Sequence, residues 1–222
     1  MYKVKEIFYS IQGEGYHVGT PALFLRFSGC NMWSGREEDR ATGKGPCAQW
    51  CDTDFVGGET YELADDVVKA CIRAMPYRIE NTIVVITGGE PLLQLDVPLL
   101  RALRAHSFIV HVETNGTVVP KWRGIRGLPR PWVTLSPKID DAVVLEPAEI
   151  SELKLVIDPR SHEDMQRVAV WEFFFAGGRK PKMFLQAIDR NGAADTNAIV
   201  EMCKRNPLWR LSVQMHKLIG IE

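Results

Sequence analysis

The chain has 222 residues with a net charge of −1 at neutral pH, and 45% of its residues are hydrophobic. These values predict one globular domain over residues 1–222, and they give no sign of a nucleic-acid partner. The amino-terminal segment lacks the apolar core of a signal peptide, and no apolar run approaches the roughly 20 residues that span a bilayer. We therefore expect a cytoplasmic protein that does not bind membranes.

Short β-branched segments alternate with helical ones along the chain, a pattern that predicts an α/β fold. The predicted strands cover residues 21–27, 82–87, 108–114, 132–136, 152–158 and 182–188, with a last extended segment at 210–216. The predicted helices cover residues 60–75, 93–105, 162–173 and 195–205, with Thr60 and Ser161 as helix N-caps. No helix is predicted in two segments that are rich in charged residues, Gly or Pro, 31–46 and 116–131.

Polar or glycine-containing residues follow most of the predicted strands, in the sequences SGC, TGGE, ETNG, SPK and QAID. The loops at the carboxyl ends of parallel strands build the active sites of α/β proteins. We therefore expect these segments to lie around one pocket.

The chain has five cysteines, an odd number that does not suggest a disulfide framework. Cys71 and Cys203 lie in predicted helices and are expected to be small core residues. Soft thiolates such as Cys30, Cys47 and Cys51 select zinc, copper or an iron–sulfur cluster. Structural zinc normally has four protein ligands, and no histidine lies between residues 18 and 105. The cysteines alone leave three interpretations open: a 4Fe–4S cluster with one open iron, zinc with a distant ligand, and buried free thiols.

A glycine pair follows the predicted strand 82–87, in the sequence TGGEP at residues 87–91. Glycine lets the backbone approach a ligand closely, and exposed N–H groups can bind the ligand's polar end. A glycine pair alone also fits an ordinary turn between a strand and a helix. Its position after the cysteine triplet makes the pattern more specific.

The cysteine triplet followed by Gly88, Gly89 and Glu90 resembles the radical S-adenosylmethionine (SAM) superfamily. Further segments are similar to the 7-carboxy-7-deazaguanine synthase family and cover nearly the whole chain in order: EIFYSIQGEG, WCDTDF, ITGGEPLLQ, VETNGT, SPK and QMHKLIGIE. One departure concerns spacing, because three residues separate Cys47 from Cys51 where the family has two. The extra residue predicts a small bulge in this loop.

The resemblance implies a partial (β/α)6 barrel with reduced helix content, and a carbon–nitrogen lyase. Such an enzyme converts 6-carboxy-5,6,7,8-tetrahydropterin into 7-carboxy-7-deazaguanine with loss of ammonia, in queuosine and 7-deazapurine biosynthesis. It uses SAM catalytically to form a 5′-deoxyadenosyl radical, so no side chain is expected to act as a strong acid or base. The implied cofactors are a 4Fe–4S cluster, SAM and Mg²⁺. The implied partners are a flavodoxin-like or ferredoxin-like reductant and a second copy of the chain in a homodimer.

The resemblance also implies residue roles. The cluster ligands would be Cys30, Cys47 and Cys51, and Thr53 would bind Mg²⁺. The expected SAM contacts are Trp50, Cys51, Asp52, Gly88, Gly89, Glu90, Glu113, Asn115, Ser136, Pro137, Lys138, Gln186 and Asp189. The expected substrate contacts are Ile11, Gln12, Gly13, Glu14, Arg26, Thr87, His216 and Glu222. Among these, Glu14 would pair with the N–H groups of the aminopyrimidinone ring, and Arg26 with the substrate carboxylate.

Two alternatives to this interpretation remain. The first is a radical SAM activase of glycyl-radical enzymes, which would share the cluster and glycine motifs but bind a protein. The second is a zinc-binding or scaffold domain that uses the three cysteines with His17 or another ligand.

Overall fold

The computed structural model describes residues 1–77, 79–189 and 194–221. Its strands are β1 (Tyr2–Ile11), β2 (Pro21–Phe27), β3 (Glu59–Tyr61), β4 (Ile83–Gly88), β5 (Ile109–Thr114), β6 (Trp132–Leu135), β7 (Glu152–Ile157), β8 (Lys182–Ala187) and β9 (Trp209–Leu211). Its helices are α1 (Glu37–Thr42), α2 (Ala64–Ala74), α3 (Val97–Ala105), α4 (His162–Phe174), α5 (Thr196–Arg205) and α6 (Met215–Ile219). Within the described residues, no helix is both long and apolar enough to cross a membrane.

The nine strands form one sheet in the order β3-β1-β2-β4-β5-β6-β7-β8-β9. All neighbours from β2 to β9 are parallel, whereas β1 pairs antiparallel with both β2 and β3. Parallel strands in sequential order bring the carboxyl ends of β2 and β4 to β8 to one edge. The predicted α/β class and its six parallel strands are therefore confirmed.

The main core lies between the sheet and its helices. Strand residues such as Leu23, Leu25, Val84 and Ile86 are buried against helical side chains such as Leu99. Alternate residues of each strand therefore belong to this core, and the others face the opposite side of the sheet. On β7 this alternation buries Leu153 and Leu155 in the core, whereas Lys154 and Val156 line a cavity on the other face of the sheet.

Several predicted boundaries were wrong. Residues Glu59–Tyr61 form β3, so α2 begins at Ala64 rather than at a Thr60 cap. Segment 31–46 contains the short helix α1, and only the first part of 210–216 is a strand. By contrast, the Ser161 hydroxyl accepts a hydrogen bond from the backbone N–H of Asp164, which confirms that N-cap. Segment 116–131 contains no helix, as predicted.

Candidate active site

A cavity of about 450 Å³ lies at the carboxyl ends of the parallel strands. The structure brings most of the predicted site residues into its lining: Ile11, Gln12, Gly13, Glu14, Arg26, Cys30, Cys47, Trp50, Cys51, Asp52, Thr53, Thr87, Gly88, Gly89, Glu113, Asn115, Ser136, Lys138, Gln186, Asp189 and His216. Glu90 and Pro137 are not among the lining residues. Glu222 lies outside the described part of the chain.

The three cysteines lie on the long loop between β2 and β3. The backbone N–H of Cys51 donates to the carbonyl of Cys47 at 2.9 Å, so one helical turn separates these residues. Residues four positions apart share a face of such a turn. The unusual three-residue gap is therefore accommodated by a helical turn, not by the bulge that the sequence predicted.

Helix α1 supports this turn through Arg40, which sequence reasoning missed. The Arg40 guanidinium donates to the backbone carbonyls of Ala48 at 2.9 Å and Cys51 at 3.1 Å. The same guanidinium lies over the ring of Trp33, 4.7 Å from its centroid. The segment between Cys30 and Cys47 thus holds the turn that contains Cys47 and Cys51 in place.

Opposing influences act on the protonation of the cysteine thiols. Burial raises the pKa of Cys47 to about 12, and the ammonium of Lys138 acts in the opposite direction. Burial also raises the pKa of Cys30, whereas backbone N–H groups at Met32 and Trp33 favour its thiolate. Ligation requires thiolates, and N–H donors and a nearby cation stabilise them. Within the described residues, no group of three His, Cys, Asp or Glu side chains is arranged to hold a single metal ion.

The glycine pair packs directly on the cysteine loop. A Cβ added at Gly89 would lie 2.1 Å from the Gly29 carbonyl oxygen and 2.8 Å from the Cβ of Cys30. Gly88 has a φ of +139°, and a Cβ there would lie 2.2 Å from the Phe27 carbonyl oxygen. Gly89 therefore needs to lack a side chain for its contact with the cysteine loop, and Gly88 for its contact with the end of β2.

Glu90 is fully buried behind the cavity. Its carboxylate accepts bonds from the backbone N–H of Leu92 at 2.9 Å, the Thr114 hydroxyl at 2.7 Å and the backbone N–H of Asn115 at 2.8 Å. Burial raises the pKa of Glu90, and these donors partly oppose the shift. Its contacts in the structure therefore join the loops after β4 and β5.

A second group of polar side chains also lines the cavity. The Glu113 carboxylate accepts bonds from Gln12 Nε2 and Thr87 Oγ1, both at 3.1 Å. Glu14 forms an ion pair with Lys154 of β7, a residue that sequence reasoning missed. A lysine between apolar residues in the strand ELKLVI was the available signal, since an unpaired ammonium is costly to bury.

Arg26 and Thr87 face the cavity from adjacent strands. The register of β2 and β4 pairs these two residues directly. The Nε of Arg26 donates to Glu6 Oε1 at 2.6 Å. Because a guanidinium has five N–H donors, its Nη groups remain able to bind a ligand carboxylate.

The carboxyl-terminal segment closes one side of the cavity. The backbone N–H of Met215 donates to the Gly13 carbonyl at 3.0 Å. His216 lies so near that a Cβ at Gly13 would be 2.3 Å from its Nδ1. Lys217, also missed from the sequence, donates to Asp52 at 2.6 Å and to Asp189 at 3.0 Å. Helix α6 thereby connects the cysteine loop with the end of β8.

A smaller cavity lies beside Glu14 and Lys154 and is lined in part by His17, His111 and Glu152. The rings of His17 and His111 have centroids 4.4 Å apart. His17 is absent from the lining of the main cavity, so the structure does not place it with the three cysteines. This position gives no support to a zinc site completed by His17.

The buried carboxyl group of Glu152 is expected to make the free energy of unfolding depend on pH. Burial raises its pKa from 4.5 to about 7, so the unfolded chain releases this proton first, and stability falls as pH rises from about 4.5 to 7. We expect Glu152→Gln to raise the free energy of unfolding by about 3 kcal/mol at pH 8 relative to the wild type, because it removes this cost. Denaturant titrations of both proteins at about pH 4 and pH 8 check this, and an equal difference at both pH values would contradict it.

The chain is similar to known proteins over nearly its whole length. No family model matches the chain. The chain is 41% identical to the 7-carboxy-7-deazaguanine synthase of Burkholderia multivorans and 43% identical to that of Bordetella pertussis, over 99% of both chains in each case. A crystal structure of QueE from Escherichia coli superposes with a TM-score of 0.68 at 28% identity and covers 97% of this chain and 94% of that one. The chain therefore belongs to the 7-carboxy-7-deazaguanine synthase family.

Proposed function

We propose that the protein converts 6-carboxy-5,6,7,8-tetrahydropterin into 7-carboxy-7-deazaguanine with loss of ammonia, as a SAM-dependent radical lyase. The observation that carries the proposal is the cavity itself. Its lining combines the three cysteines and the glycine pair with an arginine and a carboxylate that suit a carboxypterin. Full-length similarity to 7-carboxy-7-deazaguanine synthases supports this assignment.

The cysteine side of the cavity suits a 4Fe–4S cluster and SAM. Cys30, Cys47 and Cys51 would hold the cluster, which together with SAM supplies a 5′-deoxyadenosyl radical when bound. Gly88 and Gly89 expose backbone to the cavity and suit the polar end of SAM. Further SAM contacts are proposed for cavity residues on the strand ends and cysteine loop: Trp50, Asp52, Glu113, Asn115, Ser136, Lys138, Gln186 and Asp189.

Two residues have a more indirect place in this proposal. Glu90 would position the loops that face SAM, because its carboxylate is occupied by three donors behind the cavity. Pro137 is buried between Ser136 and Lys138 and would set the path of that loop.

Thr53 lines the cavity and would supply one oxygen to Mg²⁺. This ion needs few protein ligands because it keeps much of its water.

Other residues of the lining suit the pterin. Burial by itself would raise the pKa of Glu14, but Lys154, His216 and Gln214 together hold it below its ordinary value. An ionised carboxylate pairs well with the adjacent N–H groups of an aminopyrimidinone. Gln12, Gly13, Thr87 and His216 line the same cavity, and Arg26 would bind the substrate carboxylate.

The proposal has three further parts. A flavodoxin-like or ferredoxin-like protein would reduce the cluster. The protein would form a homodimer, and it would be cytoplasmic.

Anaerobic turnover tests the proposed function. The reconstituted and reduced protein is incubated with SAM and 6-carboxy-5,6,7,8-tetrahydropterin, and products are identified by mass spectrometry. We expect 7-carboxy-7-deazaguanine and one ammonia per product, with SAM recovered. Consumption of SAM without this product would contradict the proposal and favour another radical SAM activity, such as the activation of a glycyl-radical enzyme.

Arg26 gives a prediction about substrate affinity. We expect Arg26→Gln to raise the KM for the carboxylated substrate by roughly 100-fold, because a bidentate charge-assisted contact is lost. The substitution Arg101→Gln, on the exposed surface of α3, is the matched control and should leave KM unchanged. An unchanged KM in Arg26→Gln, measured in the same turnover assay, would show that another residue binds the substrate carboxylate.

A further inference from the structure

Lys154 is a buried cation on the wall of the cavity. It lies in the middle of β7 between Leu153 and Leu155, and the residue is only 7% exposed. Its neighbours in the strand face the core, whereas Lys154 faces the cavity. Burying an ammonium in this way is costly unless it is paired, and Nζ donates to Oε2 of Glu14.

The hydrogen-bond network holds this ion pair in a fixed orientation. The other oxygen of Glu14, Oε1, accepts from Gln186 Nε2 at 3.4 Å. The Oε1 atom of Gln186 in turn accepts from the Ser212 hydroxyl at 2.8 Å. Both partners of the pair line the cavity, so the carboxylate and the ammonium present adjacent acceptor and donor groups to a ligand.

The surrounding charges keep Lys154 protonated. Burial by itself would lower its pKa, but the carboxylates of Glu14, Glu113 and Glu152 raise it above the ordinary value. An ammonium has three N–H donors and no acceptor. Beyond its bond to Glu14, Lys154 can therefore only donate to a ligand.

We propose that Glu14 and Lys154 form one subsite that recognises the 2-amino-4-oxo edge of the pterin, with Lys154 donating to the 4-oxo group. This inference rests on the proposed function and adds a specificity residue to it. Along that edge, the pterin presents two donors, the 2-amino group and N3–H, and then one acceptor, O4. The protein presents the complementary order, the two oxygens of Glu14 and then Nζ of Lys154.

The subsite predicts strong discrimination against a 4-amino ring. A 2,4-diaminopteridine has an amino group in place of O4 and no hydrogen on N3, so it would leave the Lys154 ammonium facing a donor and one oxygen of Glu14 facing a lone pair. Sites built to pair buried polar groups reject the mismatched analogue by about 10⁴-fold. We expect the wild-type protein to bind 6-carboxypterin at least roughly 1,000-fold more tightly than its 2,4-diamino counterpart.

Anaerobic fluorescence titrations of the reconstituted protein with these two oxidised, unreactive ligands test the inference. Lys154→Met should weaken binding of 6-carboxypterin and reduce the preference for the 4-oxo ligand by at least roughly 10-fold, and the mismatch between N3 and Glu14 should preserve the rest. Lys154→Arg keeps a donor cation and should restore most of the preference. Lys182→Met, an exposed lysine on the neighbouring strand β8, is the matched control and should leave the preference unchanged.

The outcomes separate this inference from the proposed function. Equal binding of both ligands by the wild-type protein, or an unchanged preference in Lys154→Met, would overturn the role of Lys154 while turnover of the carboxytetrahydropterin continued. If Lys154→Met does not fold, equal binding of the two ligands by the wild-type protein remains the outcome that would overturn it. A wild-type protein that neither binds 6-carboxypterin nor turns over the tetrahydro substrate would instead contradict the proposed function.

Discussion

Cys51→Ala is expected to reduce turnover by at least roughly 1,000-fold, because the cofactors supply the reactive chemistry and the cluster would lose one of three ligands. The structure places Cys51 one helical turn after Cys47 on the same side of the cavity. Iron and acid-labile sulfide should fall together with the activity. Metal analysis and the anaerobic turnover assay check both expectations.

The other cysteines provide the control for this prediction. Cys203 lies on α5 outside the cavity lining, and Cys71 is buried in α2. Cys203→Ala should retain the iron content and the turnover of the wild type. A Cys51→Ala protein that kept full iron content and activity would show that the centre does not use the three-cysteine loop.

Gly89→Ala is expected to disrupt the site without unfolding the protein. The added Cβ would lie 2.1 Å from the Gly29 carbonyl oxygen and 2.8 Å from the Cβ of Cys30, so the loop after β4 and the cysteine loop must separate. Overpacking of this kind typically costs about 1–3 kcal/mol. We expect turnover to fall by roughly 100-fold, with reduced iron content, while circular dichroism shows a folded protein.

Gly177→Ala is the matched control, since a Cβ there meets no atom within 4 Å and the residue has no positive φ. This variant should match the wild type in iron content and turnover. Full activity in Gly89→Ala would mean that the two loops tolerate separation, and the close approach of the glycine pair would then have no bearing on function.

The sequence predicted the parallel strands well because each is a short apolar run bounded by polar or glycine-containing residues. Strand β1 was missed because its apolar residues alternate with charged ones, and much of it is only partly buried. Helix α6 has five residues, too few for helical periodicity to appear. Local patterns therefore identified the inner strands but not the elements at the border of the sheet.

The cavity shows a similar division. Motif residues such as Cys30 and Gly89 could be named because their spacing is distinctive. Lys217 could not, because its role depends on Asp52, far away in the chain. Lys154 had a signal in its apolar strand, but its partner Glu14 is equally distant in the chain and only the structure shows it. Glu90 belongs to the motif, yet only the structure shows that its carboxylate joins two loops behind the cavity.

The most direct test of a SAM-binding cluster in this cavity is an electron paramagnetic resonance spectrum of the reconstituted, reduced protein, recorded with and without SAM. We expect a reduced 4Fe–4S signal that shifts when SAM is added, because SAM would bind the iron that the three cysteines leave open. A 4Fe–4S signal that SAM does not change, or stoichiometric zinc in place of iron and sulfide, would contradict it.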